Sequence, residues 1–238
     1  MGAPPAGRGK RMTVREQMSD DSFIREVNEE MRRDQATALW NRFGPLAIVV
    51  AVAVVLATAA WVAWEYWTTN RANASGDRFS QALVLAGQDR PDEALAALQA
   101  LEADGYGAYP VLARMRAATV LDARGDKAGA VAAFDAVAAD GSVVPAVRDM
   151  ARLRAGLVLV DSGSYADVSS RVEALTADTN ALRHSAREAL GLAAWKEGRG
   201  ADALTLFEQI SADNFAPRNL RERATLMSEL IRGSGDAS

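Results

Sequence analysis

The chain has 238 residues, enough for one domain of ordinary size with an anchor and a tail beside it. It contains no Cys, which excludes a disulfide framework, a thiolate metal site and a thiol nucleophile. The net charge of −4 is unevenly spread: residues 1–42 carry eight basic and seven acidic side chains, and residues 65–238 carry nineteen and twenty-four. A mildly acidic main domain with mixed signs is expected to bind nucleic acid poorly, because phosphate contacts need a dense basic face.

Residues 1–20 are rich in Gly, Pro and charge and read as a disordered tail, with Met12 and Met18 as alternative starts to Met1. Ser22 can cap a helix, and Glu26 in its first turn suits the positive helix end. Phe23, Val27 and Met31 follow at i, i+4 and i+8 as a thin apolar stripe. A short helix over 21–42 is expected, either touching a membrane partner or leading in as a solvated segment.

Residues 43–64 hold no charged side chain. At 1.5 Å per residue these 22 positions reach roughly 33 Å, which matches a hydrocarbon core of about 30 Å. Ten of them are Leu, Ile, Val or Phe, each favouring insertion by roughly 0.3–0.6 kcal/mol near the centre. Trp40 precedes the span, and Trp61, Trp64, Tyr66 and Trp67 close it as an interfacial belt. Pro45 is expected in the first turn, where a missing N–H costs little. The rivals are a buried core helix and a signal peptide cut after Ala72-Asn73-Ala74, though the apolar run exceeds a signal core. A transmembrane helix over 43–67 is the reading adopted. Arg25, Arg32, Arg33 and Arg42 flank its start, against Arg71 and Arg78 beyond its end, which puts the N-terminus in the cytoplasm. The rest lies outside, in the periplasm if the cell is Gram-negative.

After a linker over 68–76, the chain repeats itself. Ala82, Ala118, Gly156 and Gly191 recur as the small residue of a first helix, 36, 38 and 35 residues apart. Ala94, Ala130, Val168 and Ala203 recur in a second helix, each followed four residues later by Leu98, Phe134, Val172 and Phe207. Small residues let two antiparallel helices approach, and the large residue is expected to fill the gap towards the next unit. Gly125, Gly163 and Gly198 stand between the helices, where a left-handed residue ends the first, and Asp89 takes that place in the first unit. Turn-formers follow each second helix: Asp104-Gly105, Asp140-Gly141, Asp178 to Asn180, and Asp213-Asn214. Pro110, Pro145 and Pro217 open what comes next, and a last helix would cover the final apolar face. Leu190-Gly191, Ala203, Phe207 and Pro217 resemble the tetratricopeptide repeat, without its usual first-helix Trp and Tyr. The expected fold is all-α: one transmembrane helix, then a tetratricopeptide-like α-solenoid of about four hairpins over 77–232 with a capping helix, and a disordered tail over 233–238.

No phosphate loop, nucleophile elbow or paired metal ligands occur, and the lone His184 reads as structural. No enzymatic role, cofactor or small-molecule substrate is expected. In stacked hairpins the first helices line the concave face, which would receive Phe79, Leu83, Leu112, Met115, Met150, Leu153, Leu157, Val160, Leu192 and Trp195. That set suits a peptide-binding groove, unless many of these side chains pack between repeats. No basic cluster is seen on this face, so recognition of an acidic C-terminal tail is not expected.

The order of parts, with Phe23 to Glu30 before the anchor, Trp64-Glu65-Tyr66-Trp67 at its end, Gly107-Ala108-Tyr109 opening the second unit and Ala189 to Phe207 in the fourth, resembles the YfgM-like family of ancillary SecYEG translocon subunits. The resemblance implies an inner-membrane protein whose periplasmic repeats work with SecYEG, periplasmic chaperones and exported chains. The alternative is a scaffold or assembly factor for another envelope complex.

Overall fold

A computed structural model describes residues 14–235, which divide into two compact units, Met1–Trp67 and Thr68–Ser238. The described residues form helices joined by short turns, with no strand among them. Of the expected tail over 1–20, residues 1–13 lie outside the described residues and 14–20 are helical; of the expected tail over 233–238, residues 236–238 lie outside the described residues and the last helix runs to Ser234.

The described part of the first unit is α1 (Val14–Gly87) as far as Trp67; this helix begins well before the apolar span and carries it through. Its stretch Met31–Gly87 is the one helix among the described residues long and apolar enough to cross a membrane. None of its apolar window is buried, unlike the core helix of a soluble domain. Pro45 therefore sits inside a helix and not in a first turn. In water such a proline costs about 3 kcal/mol, but a membrane helix tolerates it through local backbone adjustment. Trp40 lies against Gly44, whose absent side chain leaves room for the indole, and Trp64 and Trp67 pair with ring centroids 5.6 Å apart.

In the second unit the expected linker over 68–76 is helical and already packed. Ser75 is 5% exposed and its hydroxyl accepts the Tyr106 N–H at 3.0 Å. Gly76 faces the Tyr109 hydroxyl so closely that a Cβ there would lie 2.7 Å from it. The repeat domain thus starts ahead of residue 77, because its first helix needs these residues to seat Tyr106 and Tyr109.

Four hairpins follow: the end of α1 with α2 (Pro91–Asp104), α3 (Tyr109–Ala123) with α4 (Lys127–Ala139), α5 (Pro145–Ser162) with α6 (Tyr165–Val172), and α7 (Arg183–Lys196) with α8 (Gly200–Ala212). A 3-10 turn over Glu173–Thr176 extends α6, and α9 (Arg218–Ser234) closes the stack. Pro91, Pro110 and Pro145 stand in first turns, where no N–H is needed. Asp126 caps α4 by accepting the Gly129 N–H at 2.9 Å.

The recurring small residues mark where helices touch. A Cβ on Gly156 would come 2.4 Å from Cγ1 of Val172, and one on Gly191 would meet the Phe207 ring at 3.0 Å. The large residue therefore seats first on the small residue of its own hairpin. It also reaches forward: Phe134 shares a buried cluster with Ala118 behind it and with Ala151 and Ala155 ahead. Phe207 does the same with Leu220, Ala224 and Ile231 of the closing helix.

Gly125 and Gly198 adopt φ of 92° and 77°, the left-handed turn expected, and Asp89 reaches 59° in the equivalent place. Gly163 does not: its φ is −103°. Ser164 starts α6 at once with a capping box to Asp167, and the tight turn needs extended backbone instead. Neighbouring turns then clasp. Lys196 donates to the carbonyls of Val160, Asp161 and Gly163, Glu197 accepts the Tyr165 N–H at 2.7 Å, and the Arg199 guanidinium stacks 3.8 Å from the Tyr165 ring centre.

Candidate functional site

Each first helix carries an Arg four residues before its small residue: Arg78, Arg114, Arg152 and Arg187. Each hairpin ends in an Asp twenty-two residues after that small residue: Asp104, Asp140, Asp178 and Asp213. Arg78 meets Asp104 at 2.8 Å and Arg114 meets Asp140 at 2.6 Å, closing the first two hairpins. The hydroxyl of Ser142, followed by Arg114, holds the Asp140 carboxyl down at about 2. In the third hairpin Arg152 turns to Asp149, and Asp178 is taken by Arg187 of the next unit, which also donates to the Thr176 carbonyl at 2.9 Å. Asp213 then pairs with Arg183 at 3.0 Å and with His184 Nε2 at 2.7 Å, and chiefly the His184 contact lowers its pKa. His184 is buried in this contact and fastens a turn.

These fastenings leave the opposite side of the first helices as the surface where a partner could lie. Of the ten residues assigned to it, Leu83, Leu112, Met150 and Leu157 are 37–43% exposed. Phe79 packs against Tyr109 with ring centroids 6.1 Å apart, and Met115, Val160, Leu192 and Trp195 are partly buried against the clusters beneath them. Leu153 is 4% exposed and belongs to a buried cluster with Val168, Val172 and Leu190, so it is a packing residue and leaves the candidate surface. The exposed part is a short apolar strip on α1, α3 and α5.

Two arginines that the sequence reading did not assign to that face stand on the strip. Leu112, Arg116, Thr119 and Ala123 fall on one side of α3 at i, i+4, i+7 and i+11; Met150, Arg154, Leu157 and Asp161 do so on α5. Arg116 and Thr119 line a cleft of about 490 Å³ with Ala86 and Asp89. Thr119, Arg154, Leu157 and Phe134 line an adjoining one of about 140 Å³ between α3 and α5. The signal lay in the register: both arginines stand two residues before the small residue of their unit. Among the described residues no group of three or more His, Asp or Glu could hold a metal ion.

Stacked helical hairpins with an open strip along their first helices define an α-solenoid, a class that works by holding other proteins. Residues 37–224 match the tetratricopeptide repeat-like domain family, and the chain belongs to it. Comparison with curated proteins returns no match, and neither does comparison with solved structures.

Proposed function

We propose that the chain is a membrane-anchored accessory of protein export. Residues 43–67 cross the inner membrane once with the N-terminus in the cytoplasm. The repeats stand in the periplasm, where they hold periplasmic chaperones or exported chains beside SecYEG. The observation that carries this reading is one chain joining an unburied apolar span to a repeat domain whose first helices leave Leu83, Leu112, Met150 and Leu157 exposed. The arginine flank before the span supports the orientation. The likeness to the YfgM-like family supports the Sec channel as the membrane partner.

Photo-crosslinkers at Val54 for the span and at Leu112 and Met150 for the strip test this in living cells, with an export-dependent reporter fused after residue 100. The expected outcome is an active reporter, channel subunits captured at Val54, and chaperones or secretory chains captured at Leu112 and Met150. Capture of an unrelated envelope complex at Val54 with nothing at the strip would replace this reading by that of a scaffold. An inactive reporter would reverse the orientation.

A further inference from the structure

The first-helix strip has a charge pattern as well as an apolar one. Most arginines of the repeat domain are spent on fastening: Arg78, Arg114, Arg183, Arg187 and Arg223 each hold a carboxylate. Arg116 and Arg154 hold none among the described residues; the Arg116 Nε is buried without a hydrogen-bond partner, as is that of Arg148 off the strip. Neither the Arg116 nor the Arg154 guanidinium is neutralised by a carboxylate among the described residues, so each can donate a charge-assisted hydrogen bond to a ligand. Both arginines occupy the same position in consecutive repeats, and Thr119 lines the clefts of both. Leu112 lies one turn from Arg116 on α3, and Met150 and Leu157 each lie one turn from Arg154 on α5. The remaining charges around the clefts are accounted for: Arg124 pairs with Asp92 and Lys127 with Asp122, while Asp89 and Asp161 stand at the turn end.

We propose that the strip across α3 and α5 binds an amphipathic acidic segment of a partner protein, its carboxylates on Arg116 and Arg154 and its apolar side chains on Leu112, Met150 and Leu157. This rests on the protein-binding reading above and narrows the partner. The domain as a whole is acidic, so an acidic ligand is not drawn in by net charge and must be held by local groups. The two arginines stand on different helices that line one cleft with Thr119, so the ligand needs two carboxylates on one face, and a spacing of seven residues, two helical turns, keeps them there. Side-chain carboxylates within the segment, and not a free chain end, are therefore the determinants.

The test uses the full chain in phosphatidylcholine nanodiscs, with empty nanodiscs as blank. The probes are labelled, acetylated and amidated amphipathic Leu/Glu peptides with Glu seven residues apart, and the same peptides with Gln in place of Glu. Fluorescence anisotropy should show the Glu peptide binding about tenfold tighter, a difference of about 1.4 kcal/mol. That preference should shrink as salt rises from 0.05 to 0.5 M. Arg154→Gln alone, and with Arg116→Gln, should close the gap, with unchanged circular dichroism showing an intact fold. Arg218→Gln removes the same charge from exposed α9 and should leave the gap open. Equal affinity for the Glu and Gln peptides would overturn the acidic preference while protein binding stands. A gap that survives in the double variant, or equal competition by oligothymidylate, would overturn it too. If neither peptide binds, the assigned ligand class is wrong, and the crosslinking at Leu112 and Met150 decides separately whether the strip holds protein at all.

Discussion

At the scale of single residues, the fold depends on places where a side chain is missing. Gly156 lets α5 and α6 meet, since a Cβ there would stand 2.4 Å from Val172 Cγ1. Two opposing terms decide what Gly156→Ala does. Alanine gains about 1 kcal/mol of helix propensity. Overpacking a buried contact costs about 1–3 kcal/mol, and the helices cannot part without opening the cluster that holds Val168 and Leu175. The expected net loss is up to about 2 kcal/mol in urea unfolding. Combining it with Val172→Ala should cost less than the two changes added, by about 1 kcal/mol, because the truncated Val makes the space. Strict additivity would contradict the contact. Leu153 teaches the converse: its spacing matched the exposed strip, yet its side chain points to the core.

At the scale of elements, the hairpins are fastened where their chains turn. Asp140 is the clearest case, holding the Ser142 hydroxyl and N–H and the Arg114 guanidinium together. Its pKa falls from 3.8 to about 2 on folding. The folded state therefore binds fewer protons than the unfolded state between these values. The stabilisation is complete above about pH 4 and is lost as pH falls towards 2. Wild type and Asp140→Asn should accordingly differ by a constant amount in thermal unfolding at pH 5 and above, and converge as pH approaches 2. A gap that stays constant down to pH 2 would show that the carboxylate charge adds nothing. The recurring Arg and Asp positions were legible as a pattern in the sequence. The partners in the third and fourth hairpins were not, because α6 is short and brings Arg187 to Asp178 before Arg152 can reach it.

At the scale of the whole molecule, the boundary of the repeat domain lies earlier than hydropathy suggests. Residues 68–76 are polar and follow an aromatic belt, so they read as a linker. In the structure they supply the buried Ser75 and the cation–π contact of Arg71 with Tyr106 at 5.6 Å. A soluble fragment of 68–238 should melt higher than one of 77–238, by the equivalent of roughly 1–3 kcal/mol. That figure combines one buried hydrogen bond and one cation–π contact. Equal melting temperatures would return the boundary to residue 77. Both fragments should be helical by circular dichroism.

The sequence by itself determined the apolar span, the all-helical class, the four-unit register and the left-handed turns at Gly125 and Gly198. Each depends on local chemistry: a run of uncharged residues, a helical period, a residue without Cβ. The tertiary structure decided which first-helix side chains remain open, that Gly163 turns in extended form, and that Arg116 and Arg154 stand on the strip without a carboxylate partner among the described residues. These outcomes depend on the distance and angle between neighbouring hairpins. The packing of Phe134, Val172 and Phe207 on several helices at once sets that geometry, and no spacing along one helix encodes it.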